Sequence, residues 1–137
     1  MDKLNRMSLD HGNISEKMTL FNKLCETFKA GEAFKNVERL LKFSDEYIAE
    51  HFKFEEEEIF PMISQHGNAK EKKIIQELLE EHIQIINHLD KIKNAVFTCD
   101  SRTNKEQIQE VMLSCKVVIN MKINHAKKED VQLFNNP

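Results

Sequence analysis

Residues 51–61 read HFKFEEEEIFP. Four glutamates in a row ordinarily mark a solvated helix face, yet this run interrupts an apolar stripe. Upstream the stripe passes through Val37, Leu40, Leu41, Tyr47 and Ile48; downstream it resumes at Ile59, Met62 and Ile63. Steps of three and four residues trace one face of an α-helix. His51 and Glu55 fill the middle of that face, and residues four apart point the same way. By phase, Glu56 and Glu57 belong to the surface or to an outer ring of groups, and Glu58 turns inward only if the helix distorts near Pro61. Pro61 lacks an amide hydrogen and crowds the preceding turn, so the last turns of a helix over 33–63 are expected to be disturbed. The stretch SQHGNAK, residues 64–70, then supplies a turn.

Three further segments carry the same kind of stripe. The first, about 3–29, places Leu4, Met7, Ile14, Met18, Phe21, Cys25 and Phe28 in phase, with a gap that His11 fills. Gly12 and Asn13 are poor helix formers, so fraying or a later start is expected there. The third, about 70–96, aligns Ile75, Leu78, His82, Ile85, Leu89, Ile92 and Val96. The fourth, about 104–134, aligns Ile108, Val111, Cys115, Val118, Lys122, His125, Glu129 and Leu133, and Thr103 with Glu106 resembles a capping box at its start. Four such helices with short joins predict an all-α, up-down-up-down antiparallel four-helix bundle. Each helix would be roughly 40 Å long at the α-helical rise.

Composition narrows the function. The chain has 137 residues, suited to a single domain over 1–137. Apolar residues make up 40% and charged residues 31%, with a net charge of -3, which offers no basic face for nucleic acid. No apolar run approaches membrane-spanning length. The opening MDKLNRMSLDHG lacks the apolar core of a signal peptide, so the cytoplasm is the expected location. The three cysteines, Cys25, Cys99 and Cys115, show no CxxC spacing. Cys25 and Cys115 fall at apolar helical positions and read as core thiols, while Cys99 falls in a loop.

Each helix therefore places one histidine in its apolar phase: His11, His51, His82 and His125. Two add a glutamate one turn on, Glu55 and Glu129. With modest axial offsets all six meet at one level of an antiparallel bundle. A buried, unpaired glutamate is costly and two close carboxylates repel, and metal cations relieve both. Six nitrogen and oxygen donors are too many for a closed tetrahedral zinc site and suit two metals about 3.5–4 Å apart. The donor mixture fits iron best, with manganese or zinc less well matched. A polar interhelical network in a metal-free structural bundle is the competing reading. His66, beside Gly67, and His88, off the face of His82, read as solvated. Tyr47, one turn before His51, either lines the site or packs.

The stretches LDHGNI, HFKFEEEEIFP, EEHIQII and HAKKEDVQLF together resemble the hemerythrin-like, or HHE cation-binding, family. The resemblance implies a bundle around a non-haem di-iron centre with two Fe ions (Fe2+/Fe3+), oxo- or hydroxo-bridged. His11 and His51 would serve one iron, His82 and His125 the other, and Glu55 and Glu129 would bridge. Oxygen-carrying hemerythrins have a second histidine one turn away on the third helix. Here Leu78 and Ile86 flank His82, which implies the four-histidine, two-glutamate version linked to iron sensing or repair of damaged iron centres. The expected function is binding, and reduction, of a small oxidant (O2, NO or H2O2), with an electron donor as partner and neither nucleic acid nor membrane. Phe54, Ile85 and Met121 are expected near the site. An oxygen or iron sensor, an iron-centre repair protein and a metal-free bundle remain the alternatives at this stage, and the oligomeric state is open.

Overall fold

The computed structural model describes residues 2–26, 30–98 and 105–133, and these form four long helices with no strand among them. Helix α1 spans Lys3–Glu26 and is capped by Asp2, whose Oδ1 accepts the Asn5 amide at 2.8 Å. It runs unbroken through Gly12 and Asn13, so the expected fraying does not occur. Helix α2 is continuous over 30–66 but changes pitch: Ala30–Phe43 leads into a π turn at Ser44–Ile48, then Ala49–Phe54, a second π turn at Glu55–Ile59, and Phe60–His66. Helix α3 spans Ala69–Thr98. Helix α4 spans Lys105–Lys128 and ends in a π turn at Glu129–Leu133. Phe28, Cys99 and the Thr103 half of the capping box lie outside the described residues. No described helix is long and apolar enough to cross a membrane.

Pro61 disturbs α2 differently from the sequence expectation. The widened turn at Glu55–Ile59 stands immediately upstream, and Pro61 falls in the first turn of the segment that resumes at Phe60. A first-turn residue needs no amide hydrogen for the ladder, so the helix continues to His66. It stops at Gly67, whose backbone turns extended (φ -81, ψ 155). A Cβ there would lie 2.7 Å from the Ile63 carbonyl oxygen, which is why the position carries glycine. Asn68 then starts α3 with a reciprocal cap: its Oδ1 accepts the Glu71 amide at 2.8 Å, and its own amide donates to Glu71 Oε1 at 3.2 Å.

Cross-helix polar pairs fix the directions. Lys3 meets Glu58 and Asp10 meets His51, so α1 and α2 run antiparallel. Asp45 meets Lys93 and Glu56 meets His82, so α2 and α3 do as well. Helix α4 packs on both α1 and α3 and closes the bundle.

The interior is divided in two. One apolar cluster includes Ile14, Met18, Ile48, Phe52, Ile85 and Ile119; the other includes Met7, Phe54, Ile59, Phe60, Leu78 and Leu133. On each helix, the polar residues of the stripe fall between a member of the first cluster and a member of the second. The bundle thus carries one buried polar layer sealed above and below by hydrocarbon. Two stripe assignments are corrected. Tyr47 is 58% exposed and stacks on Phe43, because the π turn at Ser44–Ile48 buries Ser44 and Ile48 instead. Ser44 Oγ donates to the Leu40 carbonyl at 2.8 Å, meeting a backbone acceptor beside that wide turn. Leu4 is also exposed. Cys115 is buried, Cys25 half-buried.

Because the Asn68 cap ties two backbone donors at the α2–α3 junction, Asn68→Ala should cost about 1 kcal/mol. Urea denaturation of the two chains checks this, with an unchanged midpoint counting against the cap.

Candidate metal centre

Four imidazoles and two carboxylates converge in the polar layer. His11 comes from α1, His51 and Glu55 from α2, His82 from α3, and His125 and Glu129 from α4, and all six are buried. Glu55 and Glu129 are 0% exposed, and each is the first residue of a π turn. Such single wide turns recur at functional sites, where they re-aim a side chain without ending the helix.

Every imidazole is held from outside by a carboxylate on its Nδ1. His11 pairs with Asp130 at 3.0 Å, His51 with Asp10 at 3.2 Å, His82 with Glu56 at 3.0 Å and His125 with Glu81 at 2.9 Å. An ionised carboxylate only accepts, so Nδ1 carries the proton in all four rings and Nε2 presents its lone pair. All four Nε2 atoms face inward. Those of His82 and His125 stand 3.0 Å apart. Glu55 Oε1 lies 3.3 Å from His51 Nε2, 3.2 Å from His82 Nε2 and 3.9 Å from His125 Nε2. Glu129 Oε1 lies 3.1 Å from His125 Nε2 and 3.5 Å from His11 Nε2.

These contacts are close but unproductive as hydrogen bonds. Both oxygens of Glu55, both of Glu129, and His51 Nε2 are buried without a hydrogen-bond partner. Acceptors face acceptors in a buried layer, an arrangement that cations between them would convert from repulsive to attractive. Two donor sets fall within the reach of a metal ion: His11, His51, Glu55 and Glu129, and Glu55, His82 and His125, in each case within 4.8 Å of one another. Glu55 belongs to both. The residues present therefore fit a pair of metals.

Burial sets the protonation states that ligation requires. Desolvation pushes the His51 imidazole down to about 4 and holds that of His125 low as well, so both are neutral at pH 7. Burial would raise the Glu55 carboxyl, and the charge of the Lys122 ammonium opposes that rise. Burial similarly opposes ionisation of Glu81, and its bonds from Lys128 and His125 overcome that cost. Lys128 also reaches Glu77 at 2.9 Å, which anchors this outer carboxylate. The Cys115 thiol, pushed up to about 12 by burial, is inert packing.

Of the other residues singled out in the sequence, Glu57 and Glu58 are exposed, Glu58 pairing with Lys3 at 2.7 Å. Glu56 is the outer partner of His82. Phe54 is buried beneath the Arg6 guanidinium, Ile85 is buried and Met121 half-buried. His66 is exposed and His88 half-buried. Sequence reasoning missed Phe52, stacked on His82 with ring centroids 3.9 Å apart, and Phe60 on the same imidazole at 5.7 Å. It also missed Asp10, Glu81 and Asp130. Each of these adjoins an inward residue in the chain but bonds a histidine of another helix, so only the packing reveals its partner.

A four-helix bundle with a buried histidine–carboxylate layer is the architecture of a metal-binding helical protein. The sequence model of the hemerythrin HHE cation binding domain matches residues 2–135, and the chain belongs to that family. No curated protein and no solved structure matches the chain.

The His51 pKa gives a pH dependence for the chelator-treated chain. Its folded value, about 4, lies below the unfolded value of 6.5, so between these the unfolded chain binds more protons. Stability is then complete above the unfolded value and falls with pH through this window. Urea unfolding at pH 7 and pH 5 should differ by on the order of 2 kcal/mol in favour of pH 7; equal stability at the two pH values would contradict the buried neutral imidazole.

Proposed function

We propose that this protein holds two iron ions between its helices and uses them to bind and reduce a small oxidant such as O2, NO or H2O2. In this reading residues 1–137 act as one hemerythrin-like domain. His11 and His51 hold one ion, His82 and His125 hold the other, and Glu55 and Glu129 bridge them. The observation that carries the reading is the pair of fully buried glutamates whose oxygens lack hydrogen-bond partners while imidazole Nε2 atoms surround them. Family membership supports it independently.

When bound, the metals supply redox electrons and Lewis acidity to the small ligand. The chain's own residues do the rest. Asp10, Glu56, Glu81 and Asp130 orient the four rings and raise the basicity of their inward nitrogens. Phe52 and Phe60 fix the His82 ring plane, and the two apolar clusters limit water around the layer. Leu78 and Ile86 add no donor to α3, so the protein offers four imidazoles rather than five and leaves room for a ligand. That balance favours reaction with an oxidant over its reversible carriage.

Anaerobic purification with metal analysis, followed by absorption spectra on exposure to O2 and NO, tests this function. Two irons per chain and an oxo-bridge absorption that does not reverse under vacuum are expected. An adduct fully reversible under vacuum would argue for carriage, and helical protein with no metal would contradict the reading altogether. Glu55→Ala and Glu129→Ala should each lose most of the iron; retention of two irons by both would exclude the bridging roles.

A further inference from the structure

Lys122 is a charged residue in the middle of an apolar stripe. It follows Ile108, Val111, Cys115 and Val118 on the inner face of α4 and precedes His125 by three residues, one helical turn. It is 1% exposed, and its Nζ has no hydrogen-bond partner among the described residues. Nζ lies 5.3 Å from the centre of the Phe52 ring, whose face also covers His82. Its charge acts on Glu55, His51 and His125 from the layer and on Asp130 at its edge. A buried amine without a partner costs several kcal/mol, and a leucine or methionine would continue the stripe without that cost.

Lys122 and His11 also line a cavity of about 520 Å³ between α1 and α4, together with Met7, Met18 and Asp130. Gly12 stands at this cavity, where an added Cβ would meet nothing within 4 Å. The cavity therefore reaches the polar layer from the α1–α4 side, and of the two lysines that line it, Lys127 is exposed while Lys122 is the buried one beside the layer.

We infer that Lys122 is the binding residue for the small ligand, donating an N–H from Nζ to a ligand atom that accepts hydrogen bonds and orienting it against the metal pair. The ligand class is a small molecule or anion of two or three heavy atoms with an accepting end. Either protonation state of the amine retains an N–H donor. The inference rests on the proposed metal site, since the ligand's other end lies on the metals.

Azide, a linear anion with accepting ends, is the probe. Wild type and Lys122→Met, both iron-loaded and oxidised, are compared by metal count, oxo-bridge absorption and azide titration. Two irons in both chains with azide affinity about tenfold or more weaker in Lys122→Met is expected, the loss of one strong hydrogen bond. The azide stretch should shift in D2O for wild type and not for the variant. Equal affinity and equal D2O response in a fully loaded variant would overturn the role of Lys122 and leave the metal site standing. Failure of the wild type to take up metal would instead overturn the site itself. If Lys122→Met does not load, the zinc form of the wild type with 15N-labelled lysine decides. Azide should move the solvent-protected Lys122 Nζ resonance, assigned by its loss in Lys122→Met, and an unmoved resonance would overturn the inference.

Discussion

Four imidazole nitrogens and two carboxyl groups are turned toward one another in one buried layer of the bundle. Acceptor faces acceptor at 3.0–3.9 Å, and the ring protons are committed to Asp10, Glu56, Glu81 and Asp130 on the far side of each ring. The outer carboxylates force the tautomer, and the tautomer forces the inward lone pairs. Uptake of cations would turn that internal repulsion into cohesion and couple metal binding to the stability of the bundle.

The remainder of the fold serves that layer. The two apolar clusters supply the hydrophobic stabilisation that an interior crossed by polar groups would lack, and they keep solvent from weakening its electrostatics. The π turns solve a geometric problem. A regular helix carrying His51 and Glu55, or His125 and Glu129, already places each pair on one face; beginning a wide turn at each glutamate lets the carboxylate reach inward while the helix continues. In α2 the same turn accommodates Pro61. One local distortion therefore answers both the demand of the site and the chemistry of proline.

The bundle and the convergence of the six polar stripe residues were legible in the sequence because both depend on helical phase, which spacing reports directly. Residues such as His11, in the gap left by Leu4, Met7 and Ile14, needed no tertiary information. The outer carboxylates were not legible in this way. Asp10 and Asp130 adjoin His11 and Glu129 in the chain, yet Asp10 bonds His51 and Asp130 bonds His11, partnerships set by how neighbouring helices rotate. Tyr47 was misplaced for a related reason: a π turn shifts the phase of everything in it, and nothing in SDEYI announces one. Lys122 was in phase from the start, but its burial beside Phe52 is a tertiary fact that spacing does not report.

The central claim is that these six side chains hold two metals rather than a hydrogen-bonded network. Crystals grown from iron-loaded protein and measured at the iron absorption edge address it directly. The account predicts two anomalous peaks about 3.5–4 Å apart, one between His11 and His51 and one between His82 and His125, with Glu55 and Glu129 reaching both. A single peak, or an iron-free layer in which Glu55 and Glu129 share protons with the imidazoles, would contradict it.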